Sequence, residues 1–327
     1  MALMQPEWAR HERVWIGFPH DRDEWPEADF DAARRQIAAF AEAVADDGRG
    51  ERVDLIVNDD ESRDAARALL IGGHVDILRM ALGDVWLRDT APIVTGAGDE
   101  RAAQDFAFNG WGGKFAMAGD EDIGRRLAAT FGFDRLARDW VLEGGAIDVD
   151  GSGLGVTTEQ CLRNPNRNPG MTRSAIEQHL EETLGITSLL WLGDGLDGDH
   201  TDGHVDNLAR FVGKRLLLLP IPNGADDPNA QIYSDARVRA DEFGVEVVTM
   251  PSPGRIVVAG EVVPASYMNF YIGNTVVVVP QYGVSADGIA TDTLADLFPD
   301  RRIVGLPSNA ILAGGGSFHC CSQQVPE

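Results

Sequence analysis

The feature that most restricts the fold of this chain is a recurring order of elements. A strand pair, a helix and a return strand come round about five times, at intervals of roughly 50–60 residues. Residues 13–19 read as a buried strand closed by proline. In 30–46, Ile37, Phe40, Ala41 and Val44 fall at the helical period. A strand at 53–57 ends at Asn58-Asp59-Asp60, which can cap a helix through Leu70. A further strand near 74–82 runs into Trp86-Leu87-Arg88-Asp89. The same grammar returns: a helix at 121–131 with strands at 140–142 and 146–149, then a helix at 172–185 with a strand at 189–192. Strands 208–212 and 215–219 form a hairpin at Gly213-Lys214, followed by helix 228–243 and strand 245–250. Strands 269–272 and 275–280, helix 287–298 and strand 302–304 complete the series. Hairpins mixed with helices argue against an all-parallel sheet. No low-complexity linker divides the chain, so the expectation is one α/β domain over residues 1–327. The cluster Gly151-Ser152-Gly153-Leu154-Gly155 lies between strands and opens no helix, so it is not a dinucleotide fingerprint.

Charge narrows the partners. The formal net charge is −24; such a surface repels phosphate backbones, which argues against nucleic acid, and attracts small cations. Three cysteines, two of them adjacent, make no disulfide framework and point to a reducing, cytoplasmic compartment. The N-terminus shows no signal-peptide pattern. Apolar runs such as 276–280 and 216–220 are strand-length, so no membrane span is expected.

Four polar stretches stand out. Trp86-Leu87-Arg88-Asp89-Thr90-Ala91-Pro92 reads most simply as a strand end with a surface ion pair, worth little. Leu142-Glu143-Gly144-Gly145 reads as a turn. In Asp199–Asn207, His200, Asp202, His204 and Asp206 alternate, and on a strand all four would share one face. Two imidazoles and two carboxylates suit zinc, manganese or non-haem iron, although Gly203 interrupts the run and such sites usually draw ligands from several elements. Alternatively His204 is a general acid/base and Asp206 binds a cation, or the stretch is a polar loop. The fourth stretch is Gly314-Gly315-Gly316-Ser317-Phe318-His319-Cys320-Cys321-Ser322-Gln323-Gln324. A cysteine just past a tight glycine turn is a candidate nucleophile if the chain supplies a base; otherwise both cysteines are small buried hydrophobes.

Taken in order, Trp86-Leu87-Arg88-Asp89-Thr90, Glu143-Gly144-Gly145, Glu159-Gln160-Cys161-Leu162 with Asn166-Arg167-Asn168-Pro169, Thr201-Asp202-Gly203-His204-Val205-Asp206-Asn207 and Gly314-Gly315-Gly316 with His319-Cys320 resemble the agmatine deiminases (agmatine iminohydrolases). That branch of the pentein superfamily also holds the bacterial-type peptidylarginine deiminases. The resemblance runs from about Trp8 to Gln324. It implies a five-bladed α/β propeller of ββαβ units with a central active site. It implies Cys320 as nucleophile, His204 as general acid and then base, and Glu143 supporting His204 and the substrate. Asp89 and Asp206 would hold the guanidinium nitrogens and Trp86 the methylene chain. No metal or organic cofactor is implied. The chain departs from the family pattern at Ala91, usually glycine, at Ser317, usually asparagine, and at Cys321, usually aliphatic.

The chemistry accounts for these residue types. Carboxylates match the guanidinium fork with paired, charge-assisted bonds, and a thiolate is strong enough to attack so poor an electrophile. Nearby carboxylates should raise the thiol pKa of Cys320 until a cationic substrate arrives. The expected reaction is hydrolysis of agmatine to N-carbamoylputrescine and ammonia, in putrescine and polyamine biosynthesis, with peptidylarginine or another alkylguanidine as the alternative substrate. A metal-dependent hydrolase and a non-catalytic cation binder are the competing classes. Homo-oligomer formation is left open. The only cations inside the motifs are Arg88, Arg163 and Arg167, so no basic cluster awaits the carboxylate of free arginine.

Overall fold

The computed structural model describes residues 3–25, 29–258 and 260–327. Strands β1 (His11–Gly17), β2 (Arg52–Val57) and β3 (Val75–Arg79) run parallel, connected by helices Phe30–Ala45 and Asp60–Leu69. β4 (Ile93–Thr95) pairs antiparallel with β5 (Ala102–Ala107), which pairs parallel with β6 (Asp134–Val141) across helix Asp120–Phe131. The pattern repeats in β7 (Ile147–Val149), β8 (Leu154–Thr158) and β9 (Ser188–Leu192), with helix Arg173–Leu184. It repeats again in β10 (Arg210–Gly213), β11 (Leu216–Ile221) and β12 (Glu246–Pro251), with helix Ala230–Phe243. A hairpin follows, β13 (Ile256–Val258) with β14 (Glu261–Val263). β15 (Tyr271–Ile272), β16 (Val276–Gln281) and β17 (Arg302–Pro307), with helix Ala286–Leu297, make the fifth unit. The antiparallel partner that the first unit lacks comes from the far end of the chain. β18 (Ser322–Pro326) pairs antiparallel with β1 and closes the ring.

Local chemistry explains the elements. Asp59 caps its helix by accepting from Ser62 N at 2.7 Å, while Ser62 Oγ accepts from Asp59 N at 3.1 Å, a reciprocal capping box. The middle strands are apolar on both faces because helices cover one side and the ring interior the other. Val276, Val277, Val278 and Val279 are each 0% exposed, and burying each contributes roughly 1.5–3 kcal/mol. Among the described residues no helix is long and apolar enough to cross a membrane.

Helices and return strands lie where periodicity places them, within a few residues. Four differences bear on the site. Residues 86–89 do not end a strand: Leu87–Thr90 is one helical turn. β4 and β5 complete a unit for which the sequence offers only the helix and return strand. Asn269 does not start a strand; Tyr267–Asn269 is a turn ahead of β15. The Cys320 segment is a turn as well, with β18 beginning at Ser322.

Candidate active site

Every unit hands the chain to the next through a connector at the same end of its sheet, and each of the five connectors contributes a buried polar side chain. Between β3 and β4 it is Asp89, between β6 and β7 Glu143, and between β9 and β10 His204 with Asp206. Between β14 and β15 it is Asn269, and between β17 and β18 Cys320. Their spacing of 51–65 residues is the repeat length itself. Sequence motifs missed Asn269, although the repeat predicts a contribution near that position.

Gly145 shows how closely the groups converge. A Cβ there would lie 2.5 Å from His204 Nδ1, 2.9 Å from Asp89 Oδ1 and 3.2 Å from Asp206 Oδ2, so only glycine fits. Asp89 is fixed by two neutral donors, Trp111 Nε1 to Oδ2 at 2.9 Å and Gly145 N to Oδ1 at 3.0 Å. His204 Nδ1 stands 3.7 Å from Asp89 Oδ1. Cys320 Sγ lies 3.5 Å from Asp206 Oδ2 and accepts from Asn269 Nδ2 at 2.9 Å, while Asn269 Oδ1 accepts from Cys320 N at 3.2 Å. Asn269 thus clamps both ends of the cysteine.

Glu143 is fully buried; Arg167 Nε donates to its Oε1 at 2.7 Å, and its Oε2 has no partner among the described residues. Arg167 also donates to Thr201 O at 2.7 Å and bonds Asp202. Asn166 Nδ2 donates to Asp202 at 2.9 Å, and Asn168 accepts from Val141 N and donates to Val141 O, both at 2.9 Å. The Asn166-Arg167-Asn168 run is therefore a brace that locks the Glu143 and His204 connectors together.

Electrostatics differentiate the groups. Burial disfavours charge on His204, but the Asp89 carboxylate, the Cys161 sulfur and the Glu143 carboxylate outweigh it and push its pKa well up. Burial, then the Asp206 and Asp89 carboxylates, drive the Cys320 thiol well up, with the Asn269 hydrogen bond opposing. The expected direction for the thiol is seen, with burial rather than charge as its largest cause. Cys321 is buried away from the carboxylates, its Sγ 3.4 Å from Phe318 O.

A cavity of about 200 Å³ opens onto this cluster; Trp86, Asp89, Trp111, Phe115, Asp84 and Cys320 are among the residues that line it, and Cys321 is not. His204, Asp206 and Glu143 lie behind its wall, each 0% exposed. Gly314 and Gly315 form part of the wall, and indole rings press on Gly314 and Gly316. A Cβ on Gly314 would meet the Trp25 ring at 2.6 Å, and one on Gly316 the Trp86 ring at 2.6 Å and Cys320 Sγ at 3.2 Å. The two indoles stack at 5.9 Å and 18°.

The alternating stretch Asp199–Asn207 is not a strand. Asp202 and Gly203 take φ of +64° and +82°, which breaks any common face. Asp202 is tied to Lys114, Asn166 and Arg167, and Asp206 to His319. The four residues proposed as a metal set are therefore dispersed. Among the described residues the one group with metal-ligand proximity is Glu143, Cys161 and His204. The Arg167 guanidinium on Glu143 puts a cation where a metal ion would need the charge. Arg88 makes no surface pair: it is buried, donating to Gln324 Oε1 at 2.7 Å and His319 O at 3.2 Å. The departures from the family pattern fall off the cavity lining. Ala91 has an ordinary extended backbone, φ −78° and ψ 157°, and Ser317 Oγ pairs with Ser308 Oγ at 2.6 Å.

The family model for Porphyromonas-type peptidyl-arginine deiminase matches residues 3–326. The chain belongs to this family. An agmatine deiminase of Stutzerimonas stutzeri is 35% identical over 357 residues, covering 99% of this chain and 95% of that one. The structure of the Enterococcus faecalis agmatine deiminase superposes with a TM-score of 0.91 at 29% identity, over 100% of this chain and 96% of the other. The Pseudomonas aeruginosa DDAH shares the fold at a TM-score of 0.51 and 12% identity, over 96% of this chain and 99% of that one. The ring of five units is the pentein propeller that the motifs implied.

Proposed function

We propose that this protein hydrolyses agmatine to N-carbamoylputrescine and ammonia through a covalent intermediate on Cys320, a step of putrescine and polyamine formation. The observation that carries the reading is the placement of Cys320 Sγ and Asp89 on one small cavity, with Asp206 3.5 Å from the sulfur. Asp89 and Asp206 take the guanidinium nitrogens from two sides and leave the central carbon facing the thiol. The substrate cation offsets the carboxylates that hold the thiol protonated, so binding favours the thiolate, and the thiol proton is released to solvent. Cys320 attacks the carbon, and His204, whose surroundings favour the imidazolium, protonates the nitrogen that leaves as ammonia. An S-alkylthiouronium remains. His204, now neutral, takes a proton from water, which attacks the same carbon; the carbon–sulfur bond breaks and the ureido product departs. Glu143 supports the imidazolium, its ligand-atom distance to His204 being within 4.8 Å.

The lining of the cavity favours agmatine over free arginine. It includes the carboxylates of Glu24 and Asp84, with His200 and Thr201 but no lysine or arginine among the described residues, so a substrate carboxylate would be buried beside like charges and without a permanent cation. The expected kcat/KM for agmatine is at least ~10²-fold above that for arginine, about 2.7 kcal/mol. Ammonia and ureido product measured from agmatine, arginine and an arginine peptide test this; faster turnover of the peptide would move the substrate to peptidylarginine. Cys320→Ser is expected to abolish turnover and Cys321→Ser largely to keep it, and the reverse pattern would sink the assignment of the nucleophile.

A further inference from the structure

The reaction needs one buried imidazole to carry a proton in its first half and to lack one in its second, and it leaves one buried thiol beside that imidazole without a task. We propose that Cys161 is a positioning residue that holds His204 in both states, its S–H donating to the neutral ring and its sulfur accepting from the imidazolium. This rests on the deiminase reading, with His204 as acid and then base.

A Glu143 carboxylate oxygen, Cys161 Sγ and a His204 ring nitrogen all lie within 4.8 Å of one another. Cys161 and His204 are each 0% exposed, so bulk solvent does not satisfy the ring. Neither ring nitrogen of His204 has a hydrogen-bond partner of ordinary geometry among the described residues. Asp89 Oδ1, 3.7 Å from Nδ1, is close enough to act through charge and too far for a hydrogen bond. Carboxylates only accept, so Asp89 and Glu143 suit the imidazolium and leave the bare nitrogen of the neutral ring unmatched. A thiol is a weak donor and a weak acceptor, and turning about its Cβ–Sγ bond serves either state. Burial pushes the Cys161 thiol up against the pull of His204. Its proton therefore stays on sulfur throughout, and the proton given to ammonia and the one taken from water both pass through His204 alone.

The backbone keeps the sulfur in place. Cys161 sits on the single helical turn Glu159–Leu162 that follows β8. Thr158 Oγ1 accepts from Cys161 N at 3.2 Å and donates to Gly203 O at 2.6 Å. One hydroxyl thus bolts the turn of the cysteine to the residue before His204. Gln160 Oε1 accepts from Gly195 N at 2.8 Å, earlier in the same connector. Cys161 also belongs to an apolar cluster with Trp140, Leu142, Ile147 and Leu162. Were it only a small buried hydrophobe there, substitutions would rank in the opposite order from that expected of a hydrogen-bonding partner.

The test measures kcat and KM for agmatine, from ammonia release, in Cys161→Ser, Cys161→Ala and Cys161→Val, each below its measured unfolding temperature. Serine keeps one donor and an acceptor; alanine and valine keep neither. Cys161→Ser should stay within ~5-fold of wild type in kcat, whereas Cys161→Ala and Cys161→Val should lose ~10–10²-fold in kcat with KM within ~3-fold. Should Cys161→Ala not fold, Cys161→Val, which fills the space of the sulfur, supplies the apolar arm. Alanine and valine near wild type with serine lowest would assign Cys161 to packing and overturn the proposal. The same kcat in all three would overturn it too, while leaving the deiminase reading intact. Absence of ammonia from the wild type with agmatine, arginine and an arginine peptide would sink the deiminase reading itself and this role with it.

Discussion

Asp89 and Asp206 are the same residue type with the same expected task, yet the protein treats them oppositely. Asp206 Oδ2 accepts from His319 Nδ1 at 2.8 Å; His319 Nε2 donates to Glu7 Oε2 at 2.7 Å, and Glu7 in turn meets Arg210 at 2.9 Å. Both ring nitrogens of His319 thus face carboxylate oxygens. Burial raises the pKa of Asp206, but the His319 hydrogen bond and charge, with His204 and Arg210 behind them, overcome this and hold it below the usual range. Asp89 has only the neutral donors Trp111 and Gly145. Burial first, then Asp206 and Glu143, push its pKa up against the pull of His204 and Trp111. One carboxylate is ionised as part of the fold; the other is left short of positive charge. An incoming guanidinium completes the second and merely meets the first, so affinity for a cation is concentrated on the Asp89 side.

The sharpest way to break this comparison is to neutralise each aspartate in turn. Asp89→Asn and Asp206→Asn should each lower kcat/KM by ~10³-fold, about 4 kcal/mol, because both orient the guanidinium. Stability should separate them. Asp206→Asn leaves buried cations short of a carboxylate and should cost ~3–5 kcal/mol of folding free energy. Asp89→Asn removes an unfavourable buried charge but, because both Asp89 oxygens accept, turns its NH2 toward the N–H of Trp111 or Gly145; the two effects oppose, and the net cost should be at most ~1–2 kcal/mol. Urea unfolding of both variants decides the matter; equal destabilisation would show that the two sites are electrostatically alike.

The pH dependence of stability should split the same way, with a smaller effect. The folded-state pKa of Asp206 is depressed, so its contribution is present above the unfolded value and is lost as pH falls through the folded one. The folded-state pKa of Asp89 is raised, so its charge costs stability at neutral pH, and the cost is relieved as pH falls through that raised value. His319→Gln cuts the chain to Glu7, so Asp206 should lose most of its depression. The acid-unfolding midpoint should then rise, and kcat/KM should fall by ~10–10²-fold, the cost of about one charge-assisted hydrogen bond. An unchanged acid limb would show that Asp206 does not depend on His319.

What the sequence discloses and what it conceals follow the same physical line. Amphipathic helices and apolar return strands are legible because burial leaves a period. β18 is not, since Ser322, Gln323 and Gln324 are polar yet buried at the ring closure. The first half of β6 is concealed for the opposite reason: Asp134, Arg135 and Leu136 face solvent on an edge strand. Three residues are too few to show a period in β4. In the site, motifs deliver Asp89, Glu143, His204, Asp206 and Cys320 with some of their supports, Arg167 and His319 among them, but not Asn269, Glu7 or Arg210. Glu7 and Arg210 lie far apart in sequence and have no pattern of their own; only the closed ring brings them to His319. The alternation at 200–206 suggests a shared face that two left-handed residues abolish, and no side-chain period can announce a backbone sign.

The smallest expected effect concerns Ala91, which closes the turn carrying Asp89 and has no counterpart beneath Asp206. Its N–H donates to Leu87 O at 3.0 Å, and its methyl packs with Leu87 and Val94 in a buried cluster. Because its φ of −78° is open to any residue, glycine brings no relief of strain there. It removes one buried methyl, about 0.8 kcal/mol, and adds chain entropy of roughly 0.5–1 kcal/mol. Ala91→Gly should therefore cost ~1–2 kcal/mol of stability by these two terms and change kcat/KM for agmatine by less than ~3-fold, since Asp89 keeps its bonds to Trp111 and Gly145. The change, small as it is, should fall in KM, because only the Asp89 side is loosened. A gain in kcat/KM of ~10-fold or more would mean that this alanine holds the turn away from its working position, and that the weak side of the site is restrained by packing as well as short of charge.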